Sequence, residues 1–79
     1  MFINKSFDGL NNICGRKIAA LRKELSLSQR ELADKLQLAG LDVDKNTIQR
    51  IECGKRFVTD IELRKFTEVF KISVDELLK

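Results

Sequence analysis

The sequence predicts an all-α domain of five helices around one core, and three observations predict it. Apolar residues recur at helical spacing along most of the chain, with no convincing period-two strand. Four segments open on the same helix-start pattern, a capping side chain bracketed by apolar residues. The composition, 43% hydrophobic and 34% charged over 79 residues, is that of a small globular chain. A disordered one would be poorer in Leu, Ile, Val and Phe.

Residues 1–10 carry Phe2, Ile3, Phe7 and Leu10 among polar neighbours and read as an N-terminal arm, partly packed on a domain of residues 11–79. Cys14, Ile18, Leu21 and Leu25 then fall at i, i+4, i+7 and i+11, an apolar stripe on a helix over about 11–25, with Asn11 or Asn12 as its cap. Leu27-Ser28-Gln29-Arg30-Glu31-Leu32 opens the second helix, about 28–38, with a Ser cap and a Glu three residues on. Gly40 sits where a left-handed residue stops that helix, and Leu41 is placed to fold back on Leu36. Asp44, bracketed by Val43 and Ile48, opens the third helix over about 44–53; it lacks an acidic return partner at Thr47. Thr59 with Glu62, bracketed by Val58 and Leu63, opens 59–71. Ser73 with Glu76, bracketed by Ile72 and Leu77, opens 73–79. In each start the cap oxygen accepts from a backbone N–H that has no helical partner, and the Glu, where present, reaches back. The apolar pair pins the entering chain, and each cap contributes about 1 kcal/mol.

Composition removes several function classes. The chain has no His, hence neither the commonest general base nor the commonest metal ligand. Its two cysteines, Cys14 and Cys53, have no CxxC companion, and two thiols alone hold no zinc. A chain this short buries only about 60–65% of its unfolded surface, which leaves little room for a deep substrate cavity. Catalytic residues, cofactors and metal ligands are therefore not expected. The longest apolar run, Ile18-Ala19-Ala20-Leu21, falls far short of a membrane span of about 20 residues, and no signal peptide fits the start of the chain. A cytoplasmic location is the expectation.

The third helix presents the most informative face. At 100° per residue, Ile48 and Ile51 lie within about 60° of each other and define its buried side. Asn46, Gln49 and Arg50 point the other way, with Lys45 and Thr47 on the flanks. These side-chain types can read base edges: Asn or Gln pairs bidentately with adenine, Arg or Lys with guanine. A polar helix face is also what any solvated helix shows, so the neighbourhood matters. The helix before it opens with Ser28 and Gln29, whose amides can hold a phosphate. Lys55 and Arg56 follow Gly54 directly. Residues 14–56 hold ten basic and six acidic residues, net +4, whereas 57–79 hold four and five, net −1.

Leu27-Ser28-Gln29-Arg30-Glu31-Leu32-Ala33 together with Thr47-Ile48-Gln49-Arg50-Ile51-Glu52-Cys53-Gly54-Lys55 resembles the phage repressor/Cro-type (XRE-type) helix-turn-helix family. The likeness runs from about Ile13 to Leu78 and implies a compact five-helix lambda-repressor-like DNA-binding domain. In that family the helix matching 28–38 positions the domain, and the one matching 44–53 is the recognition helix, laid in the major groove. The resemblance makes Lys45, Asn46 and Arg50 base-contact candidates, joined by Gln49 from the helix face. It makes Gln29 a phosphate clamp, with Ser28, Thr47, Lys55 and Arg56 completing the expected phosphate contacts. Arg22 and Glu52 match a pair that bridges the first and third helices in family members. Two features depart from the pattern. The connection Leu38-Ala39-Gly40-Leu41-Asp42-Val43 is an extended turn, longer than the shortest in the family, and Cys53 stands where Asn is common.

The function these residues imply is sequence-specific binding of double-stranded DNA by a repressor-like transcriptional regulator. So small a module is expected to act as a homodimer on half-sites about one helical turn (~34 Å) apart. Phe66, Val69, Phe70 and Leu78 are candidates for the dimer contact. The alternative is a protein-interaction module, such as the antitoxin of a toxin–antitoxin pair. Cys14 reads as a core residue, Cys53 as an exposed thiol, and Phe57, Phe66 and Phe70 as packing residues. Asp75 and Glu76 fall in a first helical turn, where they complement the dipole.

Overall fold

The computed structural model describes residues 9–79, so the expected arm lies outside the described residues except for Gly9 and Leu10. Five helices follow in order: α1 Gly15–Glu24, α2 Gln29–Leu38, α3 Lys45–Glu52, α4 Asp60–Phe70 and α5 Val74–Leu77. No strand occurs among the described residues.

The N-caps explain where four of them start. Ser28, Asp44, Thr59 and Ser73 are extended, and the side chain of each accepts from the backbone N–H three residues on. At Ser28 and Thr59 the capping box is complete, with Glu31 and Glu62 accepting from the cap's own N–H, each at 2.9 Å. At Ser73 it is half-formed, because the Glu76 carboxylate turns to Lys79 Nζ at 3.3 Å instead. That helix also stops at Leu77, two residues short of the expected end.

α1 departs most from expectation. It begins at Gly15, not near residue 11, and its first amide donates to Asn12 Oδ1 at 2.8 Å. Asn12 is thus the side chain that satisfies the helix start. The same side chain donates to the carbonyls of Ile51 (3.0 Å) and Arg56 (2.8 Å), which ties the chain entering α1 to the end of α3. Gly15 is required by that closeness: a Cβ there would run into the Ile51 carbonyl oxygen. Leu25, expected on the buried stripe, is 54% exposed. α1 ends at Glu24, and Ser26 in the left-handed region (φ 57°) swings the chain away before the stripe can be completed.

The turn between α2 and α3 closes as a Schellman motif. Gly40 is left-handed (φ 97°), its N–H reaches Gln37 O at 3.0 Å, and Leu41 N–H reaches Leu36 O at 2.9 Å. Gln37 Nε2 donates to Val43 O at 2.7 Å and Val43 is buried, so the extended turn is internally braced.

One core joins all five helices: Cys14 and Ile18, then Leu32, Ala33, Leu36 and Val43, then Ile48 and Ile51, and finally Phe66, Phe70 and Leu77. Phe66 and Phe70 stack with ring centroids 6.3 Å apart, so these two expected dimer contacts belong to the interior. Phe57, expected to pack inside, is instead 54% exposed, because it lies before the Thr59 cap and outside the α4 stripe.

Candidate nucleic-acid interface

α3 is a short helix held from below and bare above. Ile48 and Ile51 are fully buried, whereas Lys45, Asn46, Gln49 and Arg50 are exposed. None of those four side chains has a hydrogen-bond or ion-pair partner among the described residues. Asp44 fixes the start of α3, its Oδ1 accepting from Thr47 N (2.9 Å) and Thr47 Oγ1 (3.0 Å). The Thr47 N–H bond, followed by its hydroxyl, holds the Asp44 carboxyl below the usual carboxylate range. A second Schellman closure ends α3, with Gly54 left-handed (φ 76°) and Lys55 N–H on Arg50 O at 2.9 Å. Leu10 packs so closely on Gly54 that a Cβ there would lie 2.7 Å from its side chain.

Beneath this face lies a charged brace. Arg22 Nε meets Glu52 Oε2 at 2.8 Å and its terminal nitrogen meets Oε1 at 3.1 Å, a fork across α1 and α3. The hydrogen bonds it donates to Glu52 raise the Arg22 pKa further above its already high value. Arg22 also donates to Leu27 O at 2.8 Å, and Gln29 Nε2 donates to Glu52 Oε1 at 3.1 Å. One buried carboxylate thereby sets the start of α2 against the end of α3.

The expected phosphate-contacting residues fall into two groups. Ser28 uses its oxygen to accept from Glu31 N–H, which leaves the hydroxyl proton free to point outward. The Gln29 and Arg30 amides at the start of α2 have no partner among the described residues. Lys55 is exposed and unpaired there. Gln29 has one amide proton committed to Glu52 and a second still available. Thr47 and Arg56 are engaged internally: the Thr47 hydroxyl serves Asp44, and Arg56 forks onto Glu62 at 2.8 and 2.9 Å. Burial alone would raise the Glu62 pKa, but the Arg56 and Thr59 hydrogen bonds outweigh it and hold the carboxyl low.

The Arg56–Glu62 fork and the bonds that the Asn11 and Asn12 side chains make to carbonyls at and beyond the end of α3 are absent from the sequence reading. Asn11 Nδ2 reaches Lys55 O (3.0 Å), and Asn11 N–H reaches Gly54 O (2.8 Å). The signal available was weak: two adjacent Asn before a helix, and an Arg six residues ahead of a capping-box Glu. Cys14 is buried, which raises its thiol pKa, and Cys53 is exposed, both free. Among the described residues no cluster of side chains suits a metal ion, and no helix is long and apolar enough to cross a membrane.

A capped helix laid across a second, one face buried and the other presenting unpaired Lys, Asn, Gln and Arg, defines a DNA-binding helix-turn-helix domain. The sequence profile of the helix-turn-helix family of XRE type matches residues 18–77, three-quarters of the chain and all of α2 to α5. The chain belongs to that family, whose domains bind DNA. Comparison with curated proteins and with solved structures finds no match.

Proposed function

We propose that the chain is a sequence-specific, repressor-like transcriptional regulator that lays α3 in the major groove of double-stranded DNA. One observation carries this reading: Lys45, Asn46, Gln49 and Arg50 are presented outward, without internal partners, by a helix whose Ile48 and Ile51 anchors are fully buried. Such side chains discriminate bases in the major groove. The free amides of Gln29 and Arg30, the Ser28 hydroxyl, the second Gln29 amide proton and Lys55 form the phosphate contacts that set the register. Thr47 joins them only by giving up its hydroxyl bond to Asp44, whereas Arg56 keeps two guanidinium N–H groups beyond its bonds to Glu62 and Phe57.

The Arg22–Glu52–Gln29 brace fixes the angle between the two helices, so the base-reading and phosphate-holding groups arrive as one rigid unit. A single module reads few base pairs, and two copies on half-sites about 34 Å apart supply the rest. Selection from random duplex DNA tests this directly. The expected result is one enriched motif with two-fold related halves. A tight complex with a protein and no enriched motif would assign the chain to interaction modules of the antitoxin kind.

A further inference from the structure

We propose that Asn11 and Asn12 are positioning residues for DNA binding: their side-chain amides hold the chain that follows α3 so that Lys55 meets a phosphate. The role rests on the reading of Lys55 as a phosphate contact; the grip of the two Asn on the end of α3 does not.

The residue type is the first observation. α2 to α5 open on Ser28, Asp44, Thr59 and Ser73, side chains that offer only an oxygen to the amide three residues on. α1 needs the same from Asn12, whose Oδ1 takes the Gly15 N–H at 2.8 Å. A hydroxyl oxygen does that work at Ser28 and Ser73, at 3.0 and 3.1 Å. The Asn12 nitrogen is therefore surplus to the start of α1. Both its protons go elsewhere, to Ile51 O at 3.0 Å and Arg56 O at 2.8 Å. Asn11 adds its own N–H to Gly54 O at 2.8 Å and its Nδ2 to Lys55 O at 3.0 Å. This last bond is made although Asn11 Oδ1 is left buried without a donor among the described residues. Turned the other way, the amide would set oxygen against the Lys55 carbonyl oxygen.

The carbonyls of Ile51, Gly54, Lys55 and Arg56 are thus held by two adjacent residues from the far end of the chain. Lys55 is fixed most fully. Its N–H lies on Arg50 O at 2.9 Å and its C=O on Asn11, so its main chain is bound on both sides of Cα. The side chain stays exposed. A cation on a backbone already fixed loses less freedom when it meets a phosphate, which strengthens the contact. The Arg22–Glu52–Gln29 brace sets the angle of α3 and reaches no residue after Glu52. Base reading and phosphate holding are therefore positioned by separate devices. Losing the Asn grip should cost affinity and leave discrimination intact.

The test is a binding cycle on the full chain between Lys55→Ala and Asn12→Ser, which keeps an oxygen for the Gly15 N–H and removes both carbonyl bonds. Fluorescence anisotropy reads a selected and a random-sequence duplex. Lys55→Ala should cost about tenfold on each, the worth of one charge-assisted hydrogen bond. Asn12→Ser should cost about three- to tenfold on each and keep the preference between them. Together they should lose no more than Lys55→Ala alone, because the side chain through which Asn12 acts is then already gone. In the free chain, the Lys55 amide should exchange with solvent about tenfold faster in Asn12→Ser, while the Ile18 amide in α1 keeps its parent rate. If Asn12→Ser fails to fold, Asn11→Ala, which cuts only the exposed bond to Lys55 O, carries the same cycle. Additive losses, parent affinity in the Asn variant, a narrowed preference, or unchanged exchange at Lys55 each overturn the positioning role. If Lys55→Ala binds as the parent does while Lys55 exchange still answers to the Asn variant, the phosphate contact is what failed, and the role in DNA binding falls with it.

Discussion

Arg22→Ala removes one partner of the fork on Glu52 and leaves the carboxylate buried with Gln29 as its remaining side-chain donor. The pair is well covered, with side-chain exposures of 13% and 7%, so water cannot take over the role of the guanidinium cheaply. Breaking a buried pair from one side costs ~3–5 kcal/mol. The whole fold of so short a chain is held by roughly 4–12 kcal/mol, so the variant should lose about a quarter or more of its stability. With a urea dependence of ~1 kcal/mol per molar for a small domain, the unfolding midpoint should drop by ~3 M or more. Far-UV circular dichroism across a urea series measures it. Replacing both partners, Arg22→Met with Glu52→Met, should recover most of the loss, because no charge is then left without a counterpart. A cost below ~1 kcal/mol for Arg22→Ala, the value of an exposed pair, would refute the reasoning. So would a double variant no more stable than the single.

Three further outcomes follow from the same contacts. Ser26 and Lys71 adopt left-handed backbone (φ 57° and 58°), so Ser26→Gly and Lys71→Gly should each raise stability by ~0.5–1 kcal/mol, read as a higher thermal midpoint. Glu31, Asp44 and Glu62 have folded-state pKa values below their ordinary ones, so the unfolded chain binds more protons as pH falls through ~4. Their contribution is fully present above that range and lost on acidification; urea midpoints at neutral and acid pH should show the loss, with a flatter acid limb in Glu62→Gln. Lys55→Ala should weaken all duplexes alike and reduce the slope of log affinity against log salt by ~0.9, measured by fluorescence anisotropy.

The helix starts were legible because capping is local chemistry. Ser28, Asp44 and Thr59 announce themselves within four residues, and Gly40 marks an end that needs left-handed backbone. The burial of Ile48 and Ile51 was legible for the same reason, since helical period alone puts them on one side. What failed was set by distant parts of the chain. Leu25 completes an arithmetical stripe, but the helix carrying it ends one residue earlier. Asn11 and Asn12 look like competing caps; Asn12 alone takes that role, at the Gly15 amide, and both side chains also serve carbonyls 39 to 44 residues away. Glu76 has the spacing of a return partner, yet a nearby Lys79 takes its carboxylate. Arg56 reads as a cation beside the recognition helix, and only the folded chain shows Glu62 beneath it.

The outward presentation of Arg50 is tested most directly by measuring Arg50→Ala against a selected duplex and a panel in which each base pair is changed in turn. The prediction is a loss of ~1–3 kcal/mol on the preferred site, with discrimination erased at one position and kept at the others. Equal weakening on every duplex, with all discrimination intact, would make Arg50 a backbone contact and contradict the assignment of α3 as the helix that reads sequence.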